Sequence, residues 1–235
     1  MEIKRFFCDR IDGDKVILTG EEFHHCVKVT RHKAGFTIIV CIGDGYDYYA
    51  KIESVEKESL TAKIFRKEIN KNEVSGSLIF FQGVCKELDF IVQKAVELGA
   101  TRIVPFYSIN TNISGIKQDR LQKIVREAAK QCGRARLPDI CEPVNFDKAI
   151  EISRAAENRV LCYENCRGKT IKDAVAKNSH TLALFVGAEG GFTETEVAYA
   201  QEKGVQIVTL GKRILRAETA AVAAMTLGLA ALGEL

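Results

Sequence analysis

Two rhythms of hydrophobic and polar positions run along the chain. As far as about residue 69 the rhythm is short and alternating. Phe36-Thr37-Ile38-Ile39-Val40-Cys41 leads into Gly43-Asp44-Gly45, a strong hairpin turn, and Tyr48-Tyr49-Ala50-Lys51-Ile52-Glu53 alternates beyond it. Another alternating run covers residues 60–69 after a charged turn. Short strands in series predict that this part is β and forms a small barrel. Residues 70–77 (Asn70-Lys71-Asn72-Glu73-Val74-Ser75-Gly76-Ser77) are polar and lack a period, so they read as a linker. From Leu78 the pattern alternates between strand and helix, as parallel sheets do. Strands are expected at 77–84, 102–106, 158–163, 181–186 and 205–210, and helices at 86–98, 118–132, 146–156, 169–177, 193–203 and 217–232. Leu88, Ile91, Val92, Ala95 and Leu98 share one face of the first of these helices, and Gly99 suits its C-cap. Thr193 and Glu196 form a capping box that sets the start of the helix over 193–203.

Length and composition narrow the class. The chain has 235 residues, enough for one or two domains with a real core, and its apolar and charged fractions are those of a globular protein. A formal charge of +3 says little about nucleic acid until its distribution is known. No long apolar run follows Met1-Glu2-Ile3-Lys4-Arg5, so no secretory leader is expected. The longest apolar stretch, 220–232, is too short to span a bilayer and is broken by Gly228. Several of the eight cysteines sit in apolar or helical runs, which reads as reduced thiols in a cytoplasmic protein.

Two glycine-bearing loops stand out near the C-terminus, each after an apolar strand and before a helix. The first is Val186-Gly187-Ala188-Glu189-Gly190-Gly191-Phe192 and the second is Leu210-Gly211-Lys212-Arg213-Ile214-Leu215-Arg216-Ala217-Glu218-Thr219-Ala220. Their spacing places them side by side at the C-terminal edge of a parallel sheet, where open α/β sheets hold ligands. The first loop lets backbone N–H groups approach a ligand closely. It lacks the Lys and Ser/Thr of a phosphate cradle, and the first strand of the sheet ends at Gly83-Val84-Cys85-Lys86 without a dinucleotide fingerprint. A tight turn before a helix explains Gly190-Gly191 equally well. In the second loop, Glu218 and Thr219 suit a helix N-terminus, whereas Arg216 opposes the helix dipole there. Either Arg216 faces an anion or a developing oxyanion, or it pairs with Glu218 or Glu189.

The helix over 118–132 carries a basic stripe of Arg120, Lys123, Arg126, Lys130 and Arg134, extended by Arg136, with Leu121, Ile124, Val125, Ala128 and Cys132 opposite. Glu127 is the one acid on that stripe, so the expectation is a largely unpaired ridge suited to phosphate contacts. A solvated face is the alternative. His24, His25, Cys26 and His32 match no standard zinc spacing, and Cys162 and Cys166 lack further partners nearby, so no metal is expected.

Taken together the two loops resemble the SPOUT methyltransferases, and within them the RsmE family of 16S rRNA uridine N3-methyltransferases. The family patterns are close to I-G-P-E-G-G and L-G-x-R-I-L-R-x-E-T-A. The likeness continues in Arg5-Phe6-Phe7, in His25 to Val29 with Arg31 and Gly35, and in Asp44-Gly45. It extends through Val92-Gln93-Lys94-Ala95-Val96-Glu97-Leu98-Gly99 and Glu127-Ala128-Ala129-Lys130-Gln131-Cys132-Gly133-Arg134 with Pro138. Two departures stand out. Ala188 replaces the family's loop proline, which should loosen the turn, and Ser108-Ile109-Asn110-Thr111-Asn112 lacks an arginine that the family carries there.

The resemblance implies an α/β protein: a small N-terminal PUA-like β-barrel over residues 1–70, followed by a SPOUT-type α/β domain over 74–235 with a C-terminal trefoil knot. It implies S-adenosylmethionine held by Val186, Gly187, Glu189, Gly190, Gly191, Leu210, Gly211, Ile214, Leu215, Glu218 and Thr219. Arg216 would stabilise charge on the base, and Glu189 would take the proton or, preferably, order the loop. The partners implied are 16S rRNA or the 30S subunit, held by Arg31, Arg120, Lys123, Arg126, Lys130, Arg134 and Arg136, and a second copy of the chain packed through the Ala-rich last helix. An RNA-binding protein of this fold without catalysis, and a coenzyme-binding metabolic enzyme, are the rival readings.

Overall fold

The computed structural model describes residues 3–8 and 10–235; Met1 and Glu2 of the segment read for a leader lie outside them. Contacts divide the chain into two units. The first runs to Glu73 and also takes in Arg126–Leu137. Its elements are β1 (Arg5–Phe7), β2 (Lys15–Thr19), α1 (Gly20–His24), β3 (Thr37–Cys41), β4 (Tyr46–Val55) and β5 (Ser59–Ile69). The sheet order is β1-β3-β4-β5-β2. The hairpin at Gly43-Asp44-Gly45 forms as expected, with β3 and β4 antiparallel. Two register shifts between β4 and β5, at Tyr49/Ala50 and Ile52/Ser54, curl the sheet around Phe6, Val16, Leu18, Ile38, Val40, Ile52 and Leu60.

The expectation that this part is β throughout is wrong at one place. α1 continues as a π turn over His25–Val29. Phe23 and Cys26, three residues apart, turn into the core, and the Thr30 hydroxyl donates to the Cys26 carbonyl at 2.8 Å. Burial of that one face overrides the alternating reading. The stretch read as a linker is also tied down. Buried Asn70 donates from Nδ2 to Asp47 Oδ1 and to the Gly133 carbonyl, both at 2.9 Å. The carboxylate of Glu73 accepts from the backbone N–H groups of Ala135, at 2.8 Å, and Arg136, at 2.6 Å.

The second unit comprises Val74–Val125 and Pro138–Leu235. In chain order it contains β6 (Ser77–Gly83), α2 (Leu88–Leu98), β7 (Arg102–Tyr107), α3 (Gln118–Cys132, whose residues from Arg126 belong to the first unit), β8 (Asp139–Ile140) and β9 (Val144–Asn145). α4 (Phe146–Ile152), β10 (Asn158–Cys162), α5 (Ile171–Ala174), β11 (Thr181–Val186), α6 (Glu194–Glu202), β12 (Gln206–Val208) and α7 (Ala217–Leu232) follow. The sheet is parallel, in the order β12-β10-β11-β6-β7-β8, with β9 also on β7. Gly99 closes α2 with φ 110°, and the Thr193–Glu196 capping box opens α6. α5 is one turn long, shorter than expected, because Asp173 caps Thr170 and the chain turns extended at Val175. β8 and β9 are two residues each, too short for a period to reveal. α4 ends at Ile152 and passes into a 3-10 turn at Ser153–Ala155.

One face of the sheet carries an aromatic cluster in which Phe81 stacks on Phe185 at 4.2 Å and Phe106 on Phe192 at 6.0 Å. α7 packs on β11, β6 and α2, burying Ala217, Ala221, Ala224, Met225, Gly228 and Leu229. A Cβ at Gly228 would fall 2.9 Å from Leu182, so glycine allows helix and strand to approach. Among the described residues no helix is long and apolar enough to cross a membrane.

Asp47 is the electrostatic centre of the first unit. It meets the Arg5 guanidinium through both carboxylate oxygens, one bond being 2.9 Å, and accepts from Asn70. Burial alone would raise its pKa, but the hydrogen bonds from Arg5 and Asn70 hold it below the ordinary carboxylate value. The unfolded chain therefore binds this proton more readily. The stabilisation is complete above about pH 4 and is lost as pH falls from there through the folded-state value. Asp47→Asn is expected to cost about 2–4 kcal/mol at neutral pH and to flatten this acid limb, as measured by urea denaturation from pH 3 to pH 7. An unchanged acid limb would remove Asp47 from this role.

Candidate functional site

Four adjacent parallel strands, β12, β10, β11 and β6, end on the same edge of the sheet, and both glycine loops leave from there. The first loop follows β11, whose Val186 lies beside Gln82 of β6. Next to Gln82, Gly83 approaches the loop so closely that a Cβ would fall 2.4 Å from the Ala188 nitrogen and 2.8 Å from the Gly187 carbonyl carbon. Gln82 is fully buried and donates from Nε2 to the carbonyls of Gly187 and Gly83, both at 3.0 Å. Its Oε1 is buried with no partner. Reversing the amide would set Oε1 against two carbonyls, so the orientation follows from the bonds.

The loop is closed by the Gly191 N–H donating to the Ala188 carbonyl at 3.0 Å, so the turn forms without the family's proline. Glu189 Oε1 accepts from the Lys86 N–H at 2.9 Å, joining the loop to the segment before α2. Asn110, in the stretch that lacks the family's arginine, donates to the Gly190 carbonyl at 2.9 Å. Buried Glu196 accepts from the Ile109 N–H at 2.9 Å while completing the cap of α6. Phe192, four per cent exposed, anchors the far end of the loop in the aromatic cluster.

The second loop, residues 209–216, is shaped by Thr209. Its N–H donates to the Lys169 carbonyl at 2.8 Å, and its hydroxyl accepts from the Gly211 N–H at 3.1 Å. Gly211 has φ 116°, a conformation other residues resist. Ile214 is 86% exposed, an apolar side chain with nothing over it. Arg216 is the N-cap of α7, makes no side-chain cap and is exposed, and no ion pair to Glu218 or Glu189 forms among the described residues. A cation at a helix N-terminus without a counter-charge is placed against the dipole.

The loops enclose a cleft of about 580 Å³, within the range of small-molecule sites. Every residue assigned to the cofactor by sequence lines it except Thr219, which stays exposed on the first turn of α7. The structure adds Lys86 and Glu87 after β6, Cys162, Tyr163 and Glu164 after β10, and Thr209, Arg213, Ala217 and Ala220. For Lys86, Glu87, Cys162, Tyr163, Glu164 and Thr209 the available signal was their position at the C-terminal ends of parallel strands. Burial pushes the thiols of Cys85 and Cys162 up to about 12, so they are neutral and poor nucleophiles at the edge of the cleft. All eight cysteines are free, and no metal-binding cluster occurs among the described residues.

The basic stripe differs from expectation. It is largely paired, by acids distant in sequence. Arg120 meets Asp89. Lys130 lies 2.7 Å from Glu22 and 2.8 Å from Glu127, with its side chain buried. Arg126 is 3.9 Å from Glu22 and over the ring of Phe7. Arg134, four per cent exposed, pairs with Glu73 at 3.2 Å. Counting acids along one helix could not find these partners. Lys130 and Arg134 therefore face inward, whereas Arg31, Arg120, Lys123 and Arg136 remain exposed. Arg31 stands at φ 57°, a strained backbone position.

Known proteins share this arrangement. Residues 72–228 match the RNA methyltransferase domain family, and residues 18–65 the RNA methyltransferase PUA domain. The ribosomal RNA small subunit methyltransferase E of Bacillus subtilis is 31% identical over 89% of this chain and 87% of its own length. That of Mesomycoplasma hyopneumoniae is 30% identical over 94% and 97%. A crystal structure of the Neisseria gonorrhoeae ribosomal RNA small subunit methyltransferase E bound to S-adenosyl methionine superposes with a TM-score of 0.89, 30% identity and coverage of 97% and 98%. A Legionella pneumophila methyltransferase with bound cofactor gives 0.88, 27% identity and 98% of both chains.

The approach of Gly83 to residues 187 and 188 makes a test. Gly83→Ala should lower stability by about 1–3 kcal/mol through overpacking against backbone and should speed amide exchange at residues 186–191. Thermal melts and hydrogen exchange read both, and normal protection of the loop would show that the close approach does not hold it.

Proposed function

The chain belongs to the RNA methyltransferase family and, within it, to the ribosomal RNA small subunit methyltransferases E; we propose that it methylates N3 of one uridine in 16S rRNA within the decoding region. It is an rRNA methyltransferase that uses S-adenosylmethionine. The observation that carries the reading is the single cleft formed by both glycine loops at the C-terminal edge of four parallel strands. The cleft fits that cofactor. Gly187, Gly190 and Gly191 line it without side chains, Leu210, Ile214 and Leu215 supply apolar surface, and carboxylates are present for hydroxyl and ammonium donors.

When bound, S-adenosylmethionine supplies an electrophilic methyl group on a sulfonium. The chain's own task is to present a uracil whose N3 has lost its proton. Arg216, exposed at the mouth and without a carboxylate partner, stabilises the charge that moves onto a uracil carbonyl. Glu189, bonded to the Lys86 N–H, keeps the first loop in shape. Val186, Gly187, Gly190, Gly191, Gly211 and Glu218 complete the cofactor cradle.

Residues 1–70, the main part of the first unit, are read as the PUA-like barrel, and residues 74–235, less the stretch Arg126–Leu137 that belongs to the first unit, as the methyltransferase domain. Of the cations assigned to RNA, Arg31, Arg120, Lys123 and Arg136 are exposed; Arg120 already meets Asp89, so Arg31 and Arg136 are the ones we assign to phosphates. The chain passes from β12 at the sheet edge to α7, which packs on β11 and β6. We read this passage as the trefoil knot. α7 keeps Leu227 half exposed on the side away from its buried residues, a face suited to a second copy. Free cysteines and an rRNA substrate fit a cytoplasmic location, and we read the protein as a homodimer.

The decisive experiment titrates S-adenosylmethionine calorimetrically, then incubates the protein with 16S rRNA or 30S particles lacking the modification and scores N3-methyluridine by mass spectrometry. Binding with product is expected. RNA binding without cofactor or product would leave an inactive binder. Arg216→Ala should cut turnover roughly 10²–10³-fold with cofactor affinity nearly unchanged; equal losses in both would remove Arg216 from catalysis. Replacing Arg31 and Arg136 by Ala should weaken RNA binding and flatten its dependence on log salt by roughly 0.7 per lost phosphate contact. An unchanged slope would exclude both from the RNA interface.

A further inference from the structure

Four carboxylates line the cleft, from Glu87, Glu164, Glu189 and Glu218. Three of them have their charge supported. Glu189 accepts the Lys86 N–H at 2.9 Å. Glu87 is the N-cap of α2 and Glu218 lies in the first turn of α7, where the helix dipole favours a negative charge. Glu164 has no such support. Among the described residues its carboxylate meets neither a hydrogen-bond donor nor a cation. The arginine of its own turn, Arg167, donates instead to the carbonyls of Glu164, at 2.7 Å, and Cys166, at 3.0 Å.

The backbone turn that carries Glu164 is nevertheless held in place. Tyr163 donates its N–H to the Val208 carbonyl at 2.9 Å and Cys166 donates to the Tyr163 carbonyl at 3.1 Å, so the turn is fastened to the end of β12. The carboxylate rests against Gly191. A Cβ there would lie 2.5 Å from Oε1, and the backbone at φ 62° already favours glycine. The bare position in the first loop therefore makes room for an exposed carboxylate in the wall of the cleft.

The methyl donor and its spent form differ by one charge. S-adenosylmethionine carries a sulfonium, and S-adenosylhomocysteine a neutral thioether in its place. We propose that Glu164 biases the cleft toward the cationic donor over the neutral product, so that methyl transfer itself weakens the hold on the spent cofactor. The inference rests on the cofactor reading above. A carboxylate with no other partner responds to that charge, whereas the glycine loops and Leu210, Ile214 and Leu215 offer backbone and apolar contacts that both forms share.

Calorimetric titration of the full chain with each compound separately tests it. Glu164→Gln keeps shape and removes charge. Affinity for S-adenosylmethionine should fall roughly five- to tenfold, with that for S-adenosylhomocysteine held within about twofold. Equal weakening of both would place Glu164 on a shared part of the cofactor, and no weakening would deny it any electrostatic role; either overturns the proposal. Glu164→Asp should retain most of the preference. In the unaltered protein, added salt should weaken the donor more than the product, a readout that needs no variant; a constant ratio also overturns the proposal. Failure of the unaltered protein to bind either compound would instead overturn the cofactor reading, and this inference with it.

Discussion

The cleft depends on one close approach between two backbones. β6 ends in Gly83, and the first glycine loop passes so near that no side chain fits between them. Gln82 adds the polar half of the contact, giving both amide hydrogens to the carbonyls of Gly187 and Gly83. Its Oε1 is buried without a protein partner, which costs free energy. A residue kept under that cost is held for what its other atoms do. The loop above it is then pinned at further points, by Lys86 through Glu189, by Asn110 at Gly190 and by Phe192 in the aromatic cluster. These contacts fix the shape of the glycine loop from several sides.

Charge follows a different logic in the two units. In the first, three of the basic side chains serve structure. Arg5 and Asp47, Lys130 and Glu22, and Arg134 and Glu73 are pairs between residues distant in sequence, and most of these side chains are buried. Removing one partner of such a pair strands the other, so these residues hold the unit together and contribute little to its surface potential. Around the cleft the reverse holds. Arg216 and Glu164 lack counter-charges of their own, and unpaired charge at a cleft is available to a ligand.

Much of this was legible in the sequence. Period and turn chemistry placed the β6–α2–β7 run, the α3 limits, the α6 capping box and α7, because each is decided by neighbours within four residues. The two glycine loops were visible as a pair, and the rule that ligands sit at the carboxyl edge of parallel strands predicted where they would meet. The π turn at His25–Val29 was not, since the strands read on later residues set the reading for the whole stretch, whereas Phe23 and Cys26 bury one face there. Nor was the fastening of residues 70–73, whose polar composition reads as a loose connection until Asp47 and Gly133 stand beside it.

The sequence by itself determined the class of the protein, most of its elements and the pairing of its two glycine loops, because these follow from short-range periodicity and from motifs read in order. Only the tertiary structure decided which charges are free. An ion pair depends on distance through space, and the acids that neutralise the basic stripe arrive from residues 22, 73 and 89. The same holds for Gln82, Asn110 and Glu164. Each is an ordinary polar residue in sequence, and each acquires its role only when the fold brings a loop carbonyl or a bare glycine to within contact of its side chain.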